Sequence, residues 1–147
     1  MHQKILTNLY ISIHGGCRYD GEILLAPMDV HFDTENIVQP DLIFIAKDNL
    51  NIIRDGFVFG VPELLVEILS KSTGKRDKTI KKALYERFGV KEFWLIDPGY
   101  QTVDQFVLEK SGYRLAATLT EGDLIGSPTV PCLSVDLGQI FPEDERD

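Results

Sequence analysis

The sequence has few cysteines, no long apolar run and fewer basic than acidic residues. Cys17 and Cys132 are its two cysteines, too few for a disulfide framework or a four-cysteine zinc site. No apolar run approaches the ~20 residues that cross a membrane. Residues 1–16 lack the apolar region and cleavage site of a secretory signal. These absences predict a protein of a reducing, cytoplasmic compartment that does not associate with membranes.

The common sequence signatures of several enzyme classes are also missing. No GxGxxG, P-loop, GxSxG or HExxH pattern occurs, which removes the usual dinucleotide, nucleoside triphosphate, serine hydrolase and zinc peptidase functions. The three histidines, His2, His14 and His31, have no spacing typical of a zinc site. We therefore expect no histidine-based metal site.

What is present is the composition of one globular domain. The chain has 147 residues, within the ~100–200 residues of a typical domain. It is 44% hydrophobic and 26% charged, enough apolar content to bury its own core. No repeat, low-complexity segment or flexible linker divides it, so we predict a single domain over residues 1–147.

The charge is unevenly distributed along the chain. The formal net charge is −8, yet residues 71–91 contain eight basic and two acidic side chains, a local charge of +6 that leaves −14 on the remainder. One basic patch on an acidic body can still contact a phosphate backbone. The same segment can equally be the solvated face of a helix. Composition alone favours the solvated face.

Hydrophobic spacing and turn residues outline a mixed fold. A helix is predicted over residues 3–14, ended by Gly15 and Gly16, and a second over residues 77–88, capped by Ser72 or Thr73 and closed by Gly89. Residues 47–56 are predicted as a loop or hairpin tip, and 127–141 as a loop with one short element. Strands are predicted over residues 22–26, 30–32, 41–46, 62–70, 91–96, 102–108 and 113–120. This order predicts an α/β or α+β fold with one central mixed sheet flanked by helices.

Two carboxylates interrupt apolar strands. Asp41 precedes Leu-Ile-Phe-Ile-Ala, and Glu67 lies inside Leu-Leu-Val-Glu-Ile-Leu. A carboxylate in such a place is costly to desolvate unless a cation or hydrogen-bond donors meet it. A pair of them on neighbouring strands can hold a hard divalent cation such as Mg²⁺. The alternative is that Asp41 accepts hydrogen bonds in a turn while Glu67 pairs with a buried basic residue.

The segment around these carboxylates resembles the Uma2 family of restriction endonuclease-like proteins, within the PD-(D/E)xK nuclease superfamily. The resemblance extends over about residues 23–142, and residues 39–98 carry nearly all of its specificity. The motifs that match, in order, are Pro40-Asp41, Val66-Glu67-Ile68-Leu69-Ser70, Ser72-Thr73, Arg76-Asp77, Lys81, Leu84-Tyr85, Gly89-Val90 and Trp94-Leu95-Ile96-Asp97-Pro98.

The resemblance implies a fold, a cofactor and a reaction. It implies a restriction-endonuclease-like core in which Asp41, Glu67 and the backbone carbonyl of Ile68 bind Mg²⁺, with Mn²⁺ as a substitute. The reaction it implies is hydrolysis of DNA phosphodiester bonds, in which the ion activates water and stabilises charge on the phosphate. A nearby lysine would orient that water or neutralise the phosphate. Asp29 also matches a family position and could add an acidic group near the ion, or else cap a turn.

The superfamily lysine is displaced in this chain. It normally lies two residues after the glutamate, on the same strand face, where this sequence has Leu69. Lys71 has the same parity if the strand continues. In the following helix, with Ile80 set at 0° on a helical wheel, Leu84 and Phe88 fall at about 40° and 80° and define an apolar stripe with it. Lys81 lies beside this stripe near 100°, whereas Lys82 points outward near 200°. We therefore predict Lys81 as the catalytic lysine, against the alternative of a surface lysine.

Two further expectations concern assembly and activity. Relatives usually carry a further strand-bearing segment before the helix that here begins at His2, so we expect either a less enclosed site or a partner chain that covers the gap. Cutting both strands of DNA with one small domain would favour a two-fold homodimer. The rival to a DNA endonuclease is a nuclease-like module for DNA binding or assembly that has lost catalysis, and a purely structural mixed-sheet protein is a third possibility.

Overall fold

The computed structural model of the protein describes residues 2–70 and 74–142, with side chains described outside residues 74–77. Within these residues the chain forms two α-helices, twelve β-strands and two 3₁₀ turns. The helices are α1 (His2–Cys17) and α2 (Gly74–Arg87), and the 3₁₀ turns are Lys47–Ile52 and Leu137–Gln139. The strands are β1 (Gly21–Leu25), β2 (Val30–His31), β3 (Ile37–Val38), β4 (Leu42–Ala46), β5 (Ile53–Arg54), β6 (Phe57–Phe59), β7 (Leu64–Ile68), β8 (Glu92–Asp97), β9 (Thr102–Glu109), β10 (Gly112–Leu119), β11 (Leu124–Gly126) and β12 (Ser134–Asp136).

A six-stranded mixed sheet organises the domain. Its strand order is β1-β4-β7-β8-β9-β10, and every pair is antiparallel except β7 and β8. Parallel neighbours need a crossover connection, and α2 supplies it. The mixed sheet with helices confirms the predicted fold class.

The two faces of this sheet bury separate apolar clusters because alternate side chains of a strand point to opposite faces. On the α1 face, Ile5, Leu9 and Ile13 pack with β4 residues Leu42 and Phe44. The other face packs against α2. Its cluster includes Ile43, Ile45, Leu65, Tyr85, Phe93, Leu95 and Phe106. The strand before Glu67 is therefore buried on both sides, as its continuous apolar run predicts.

Two small sheets extend the central one. The order in one of them is β3-β2-β6-β5, and β11 pairs with β12 in the other. The predicted hairpin tip before Gly56 is confirmed, since Asp55 and Gly56 have φ of 54° and 81° between β5 and β6. The prediction of an irregular segment over residues 47–56 is wrong in part, because it contains a 3₁₀ turn and β5.

The first helix runs further than its glycines predict. It continues through Gly15 and Gly16 to Cys17, so the prediction that these glycines end it is wrong. A Cβ on Gly16 would lie 2.9 Å from the carbonyl oxygen of Cys132, which means that a glycine permits this helix to approach the C-terminal segment. Packing, rather than a helix stop, accounts for that residue.

The two cysteines are joined in a disulfide. Cys17 at the end of α1 bonds to Cys132, across a sequence separation of 115 residues. Two cysteines are too few for a framework of several disulfides, and their pairing in this single bond is not predicted from the sequence. The described residues contain no helix long and apolar enough to cross a membrane. The reducing, cytoplasmic compartment stays a prediction.

The inward face of α2 differs from the predicted stripe. Ile80, taken as its reference, is 54% exposed, whereas Tyr85 is fully buried. The Lys82 ammonium lies 4.5 Å from the centre of the Phe106 ring, so the prediction that Lys82 points outward is also wrong. The helix is rotated so that its lysines and Tyr85 meet the sheet, because Glu67 on β7 supplies an acceptor there.

This rotation gives a stability test. Ile80→Lys should change the free energy of unfolding by less than about 0.5 kcal/mol, because the side chain is already in water. Tyr85→Ala should cost about 3–5 kcal/mol through a cavity in the α2-face cluster. Urea denaturation measures both. A loss of stability for Ile80→Lys as large as that for Tyr85→Ala would mean that Ile80 lies on the buried face of α2, as the predicted stripe has it.

Candidate active site

Asp41 and Glu67 lie together at one end of the central sheet. Leu42 pairs with Val66 in the β4–β7 register, and continuing that register places Asp41 opposite Glu67. Both side chains line one cavity of about 150 Å³. The sequence prediction that the two carboxylates share a cleft agrees with this arrangement. Whether a single ion bridges them stays a prediction.

The two oxygens of the Asp41 carboxylate contact different groups. Its Oδ2 accepts a hydrogen bond of 2.7 Å from the backbone N–H of Ile68, which ties the start of β4 to the end of β7. Its Oδ1 lies 3.4 Å from Nε2 of His2, the first residue of α1. His2 also lines the cavity, although α1 packs on the opposite face of the sheet from Glu67. The His2 side chain therefore reaches the cavity around the end of the sheet.

The Glu67 carboxylate is buried and held from α2. The residue is 5% exposed, its Oε1 lies 3.2 Å from Nζ of Lys81, and its Oε2 accepts a hydrogen bond from the Tyr85 hydroxyl. Loss of hydration raises the pKa of Glu67 to about 7, against the lowering effects of Tyr85 and Lys81. Burial and the charge of Glu67 raise the pKa of the Tyr85 hydroxyl. Tyr85 is thus a hydrogen-bond donor at neutral pH.

This ion pair bears on the alternative interpretations of Glu67. Contact between Glu67 and Lys81 is what a purely structural role predicts. The adjoining cavity of about 150 Å³ nevertheless leaves space for an ion and its water, since one water molecule occupies about 30 Å³ in the liquid. Across residues 2–70 and 78–142, no three His, Cys, Asp or Glu side chains already form a cage for a metal. An ion would need further ligands from backbone or water.

The lysine of the site comes from α2. Leu69 packs with the apolar cluster on the α2 face. Its side chain has no charge and cannot replace the lysine. Lys71 lies outside the described residues. Lys81 lines the cavity, as does Lys78, whose Nζ is 3.8 Å from a carboxylate oxygen of Asp104. The choice of Lys81 over Lys82 agrees with the geometry, although Ile80, the reference of the stripe used to reach it, is exposed whereas Leu84 does pack against the sheet.

The other acidic candidates have local roles. Asp29 accepts a 2.6 Å hydrogen bond from the side-chain amide of Gln39, and Gln39 lines the cavity whereas Asp29 does not. Asp29 therefore positions a neighbour of the site. Asp97 accepts hydrogen bonds from the backbone N–H groups of Gly99 and Tyr100, so it stabilises the turn after β8.

Several residues of the site escaped the sequence reasoning. His2, Gln39 and Lys78 line the cavity, but the sequence marks Gln39 only as the start of the matching segment and Lys78 only as one of the basic residues of 71–91. Tyr85 belongs to a matching motif, and the structure adds that its hydroxyl donates a hydrogen bond to Glu67. A useful signal was available for Tyr85: it follows Lys81 by four residues, so both lie on one face of a helix.

The arrangement suits divalent metal chemistry. Carboxylate oxygens of Asp41 and Glu67 and the backbone of Ile68 border the same cavity, and oxygen ligands are those that Mg²⁺ and Mn²⁺ take. Lys81 places a positive charge at the wall of the same cavity, where its ammonium could contact a phosphate oxygen. These residues fit an ion with oxygen ligands.

Sequence comparisons place the chain within a family. The sequence model of Uma2, described as "Putative restriction endonuclease", matches residues 1–138. No curated protein matches the sequence.

Comparison with solved structures supports the fold. A crystal structure described as "a putative nuclease belonging to DUF820", from Anabaena variabilis, is similar with a TM-score of 0.76 and 18% identity, over 95% of this chain and 79% of that one. The type IIG restriction endonuclease BpuSI is similar with a TM-score of 0.52 and 13% identity, over 83% of this chain but 14% of its own. This chain thus corresponds to a small part of BpuSI. At these identities the likeness shows a restriction-endonuclease-like fold.

The raised pKa of Glu67 makes folding depend on pH. The folded state keeps a proton up to about pH 7 that the unfolded chain releases near 4.5. The stability linked to that proton is fully present below pH 4.5 and is lost as the pH rises towards 7. Relative to Glu67→Gln, the free energy of unfolding of the unmodified protein should fall by on the order of 1–3 kcal/mol over this window.

Urea denaturation without divalent ions, at a series of pH values, measures this difference. Glu22→Gln, on the exposed side of β1, controls for the loss of one negative charge. Parallel stability curves for the unmodified protein and Glu67→Gln would mean that Glu67 is charged throughout the window.

Proposed function

Because the chain belongs to the Uma2 family of "putative restriction endonucleases", we propose that it is a Mg²⁺-dependent endonuclease that hydrolyses phosphodiester bonds in DNA. The observation that carries this proposal is the convergence of Asp41, Glu67 and Lys81 on one cavity at the end of the central sheet. Two carboxylates and a lysine in one cleft are the groups that metal-assisted phosphodiester hydrolysis requires. The restriction-endonuclease-like fold supports the same activity.

The ion would be held by Asp41, Glu67 and the carbonyl of Ile68, with Mn²⁺ as a substitute for Mg²⁺. When bound, it supplies an acidified water and a positive charge for the phosphate. The hydrogen bond from Ile68 N–H fixes one oxygen of Asp41. Tyr85 fixes Glu67 by donating to its Oε2. The carboxylates are thus oriented before any ion arrives, which reduces the cost of binding it.

Lys81 is the proposed catalytic cation. Its ammonium contacts Glu67 at 3.2 Å and is one-third exposed, so it can contact both the carboxylate and a phosphate in the cavity. A positive charge already in place where negative charge develops lowers the barrier without reorganisation. Lys81 therefore takes the part that the superfamily assigns to the strand position occupied here by Leu69.

The basic segment 71–91 supports DNA as the substrate. The segment has a net charge of +6, and two of its lysines on α2, Lys78 and Lys81, line the cavity. The rest of the chain carries −14, which repels DNA elsewhere. Binding should therefore be local to α2, weak overall and sensitive to salt.

A second function has specific support. A nuclease-like module without catalysis would keep the fold but not the ion, and the Glu67–Lys81 pair and the apolar Leu69 both favour it. Binding of Mg²⁺ or Mn²⁺ through Asp41 and Glu67 discriminates the two functions. For the endonuclease, cleavage of both strands leads us to propose a two-fold homodimer.

Lys81→Ala should abolish Mg²⁺-dependent cleavage while leaving metal affinity largely intact, because carboxylates rather than the amine hold the ion. We expect the cleavage rate to fall by about 10²–10³. The measurement is single-turnover cleavage of plasmid DNA at saturating Mg²⁺, with metal affinity measured separately by calorimetry.

Lys82→Ala is the matched control for that experiment. Lys82 is on the same helix but rests on the Phe106 ring, so its loss should be nearly silent in cleavage. An active Lys81→Ala beside an inactive Lys71→Ala would move the catalytic role to the segment after β7.

Charge reversal on α2 should weaken DNA binding. Replacing Lys75, Arg76 and Lys78 together by Glu should lower the affinity for duplex DNA at least about tenfold, and flatten the slope of log K against log salt by about 2–3. Fluorescence anisotropy over a salt series measures both quantities. The reversal of Arg18, Lys47 and Lys110, which lie outside the segment, applies the same change in net charge. Equal losses of DNA affinity in the two triple variants would mean that segment 71–91 is a solvated helix face and not the DNA-binding surface.

A further inference from the structure

We infer that His2 is a further ligand of the metal ion at Asp41 and that it gives the site a preference for Mn²⁺ over Mg²⁺. The inference rests on the proposed function, because it concerns the same ion. It reverses the expectation from sequence that no histidine takes part in a metal site.

The contacts of Asp41 direct an ion towards His2. Its Oδ2 is engaged by the backbone N–H of Ile68 at 2.7 Å, whereas its Oδ1 lies 3.4 Å from Nε2 of His2. Two ligands at right angles on an ion, each at ~2.1 Å, lie about 3 Å apart. The Oδ1–Nε2 separation is close to that value, so one ion can contact both atoms after a small adjustment.

The fold holds His2 in this place. The buried side of α1 is anchored in the core by Ile5 and Leu9, and its far end is bonded through Cys17 to Cys132. His2 itself remains 41% exposed in its side chain and lines the cavity. A rigid helix thus delivers an accessible imidazole to the carboxylates, as preorganised ligands require.

The other two histidines are engaged elsewhere. His14 stacks on Tyr10 with ring centres 5.6 Å apart, and His31 stacks on Phe59 at 4.6 Å. Neither lines the cavity. Since these three are all the histidines of the chain, an imidazole nitrogen detected on the bound ion identifies His2.

The ligand set has a consequence for metal choice. Mg²⁺ prefers oxygen ligands and dehydrates reluctantly, whereas imidazole increasingly favours ions from Mn²⁺ onward in the first transition row. His2 and Asp41 line the cavity together with Glu67, which Lys81 and Tyr85 hold. A mixed nitrogen and oxygen set of this kind should bind Mn²⁺ more tightly than Mg²⁺.

The experiment uses the full metal-free chain at pH 8, with Mn²⁺ as the probe. Electron paramagnetic resonance of free Mn²⁺ gives its affinity, competition gives that of Mg²⁺, and electron spin echo modulation detects a coordinated ¹⁴N. The variants are His2→Ala, the matched control His14→Ala and Asp41→Asn, with folding checked by circular dichroism. We expect a ¹⁴N signal in the unmodified protein and in His14→Ala but none in His2→Ala. Loss of His2 should weaken Mn²⁺ binding about tenfold and Mg²⁺ binding less.

The outcomes separate this inference from the proposed function. If Asp41→Asn loses Mn²⁺ but His2→Ala keeps both the ¹⁴N signal and the affinity, His2 is no ligand and the proposed metal site stands. If His2→Ala weakens both ions equally and no ¹⁴N signal is seen in any variant, His2 only positions Asp41 and the inference is overturned. If the unmodified protein binds neither ion, the proposed function fails together with the inference.

Discussion

The burial of the Glu67 carboxylate is the constraint on which the surrounding structure depends. A carboxylate that is 5% exposed on an otherwise apolar strand must be met by donors or lose its charge. The lysine Lys81 and the hydroxyl of Tyr85 meet it, and this requirement fixes which face of α2 turns inward. It also explains why Ile80 is left in water. The contacts of Lys81 and Tyr85 with Glu67, together with the packing of Leu84 against the α2-face cluster, thus set the rotation of the helix.

The chemistry of the site is divided between elements that belong to different layers. The sheet supplies Asp41 and Glu67, α2 supplies Lys81 from one face, and α1 brings His2 from the other around the end of the strands. The strand position that the superfamily uses for its lysine is apolar, because Leu69 packs in the α2-face cluster. In the proposed endonuclease, a lysine on the helix would still reach the site, since the site lies at the end of β7 and α2 follows that strand.

The central sheet and the carboxylate pair could be predicted from sequence because both leave local signals. The runs before and around Glu67 are continuously apolar, and Pro40-Asp41 precedes a second such run. The inward face of α2 and the extension of α1 through Gly16 could not be predicted, because tertiary contacts decide them. The pairing of Cys17 with Cys132 and the approach of His2 to Asp41 depend on where distant segments meet. No periodicity within either segment carries that information.

The turn between β9 and β10 lies at the other end of the sheet from the carboxylates. In the register of β8 with its neighbours, Ile96 lies beside Ile68 near the cavity, while Glu92 at the opposite end pairs with Val107, just before the turn. Six strand residues span about 20 Å, and residues 109–111 of the turn are exposed. A fluorophore, an affinity tag or a tether to a surface attached at this turn would project away from the cavity and leave its mouth open to a long polymer.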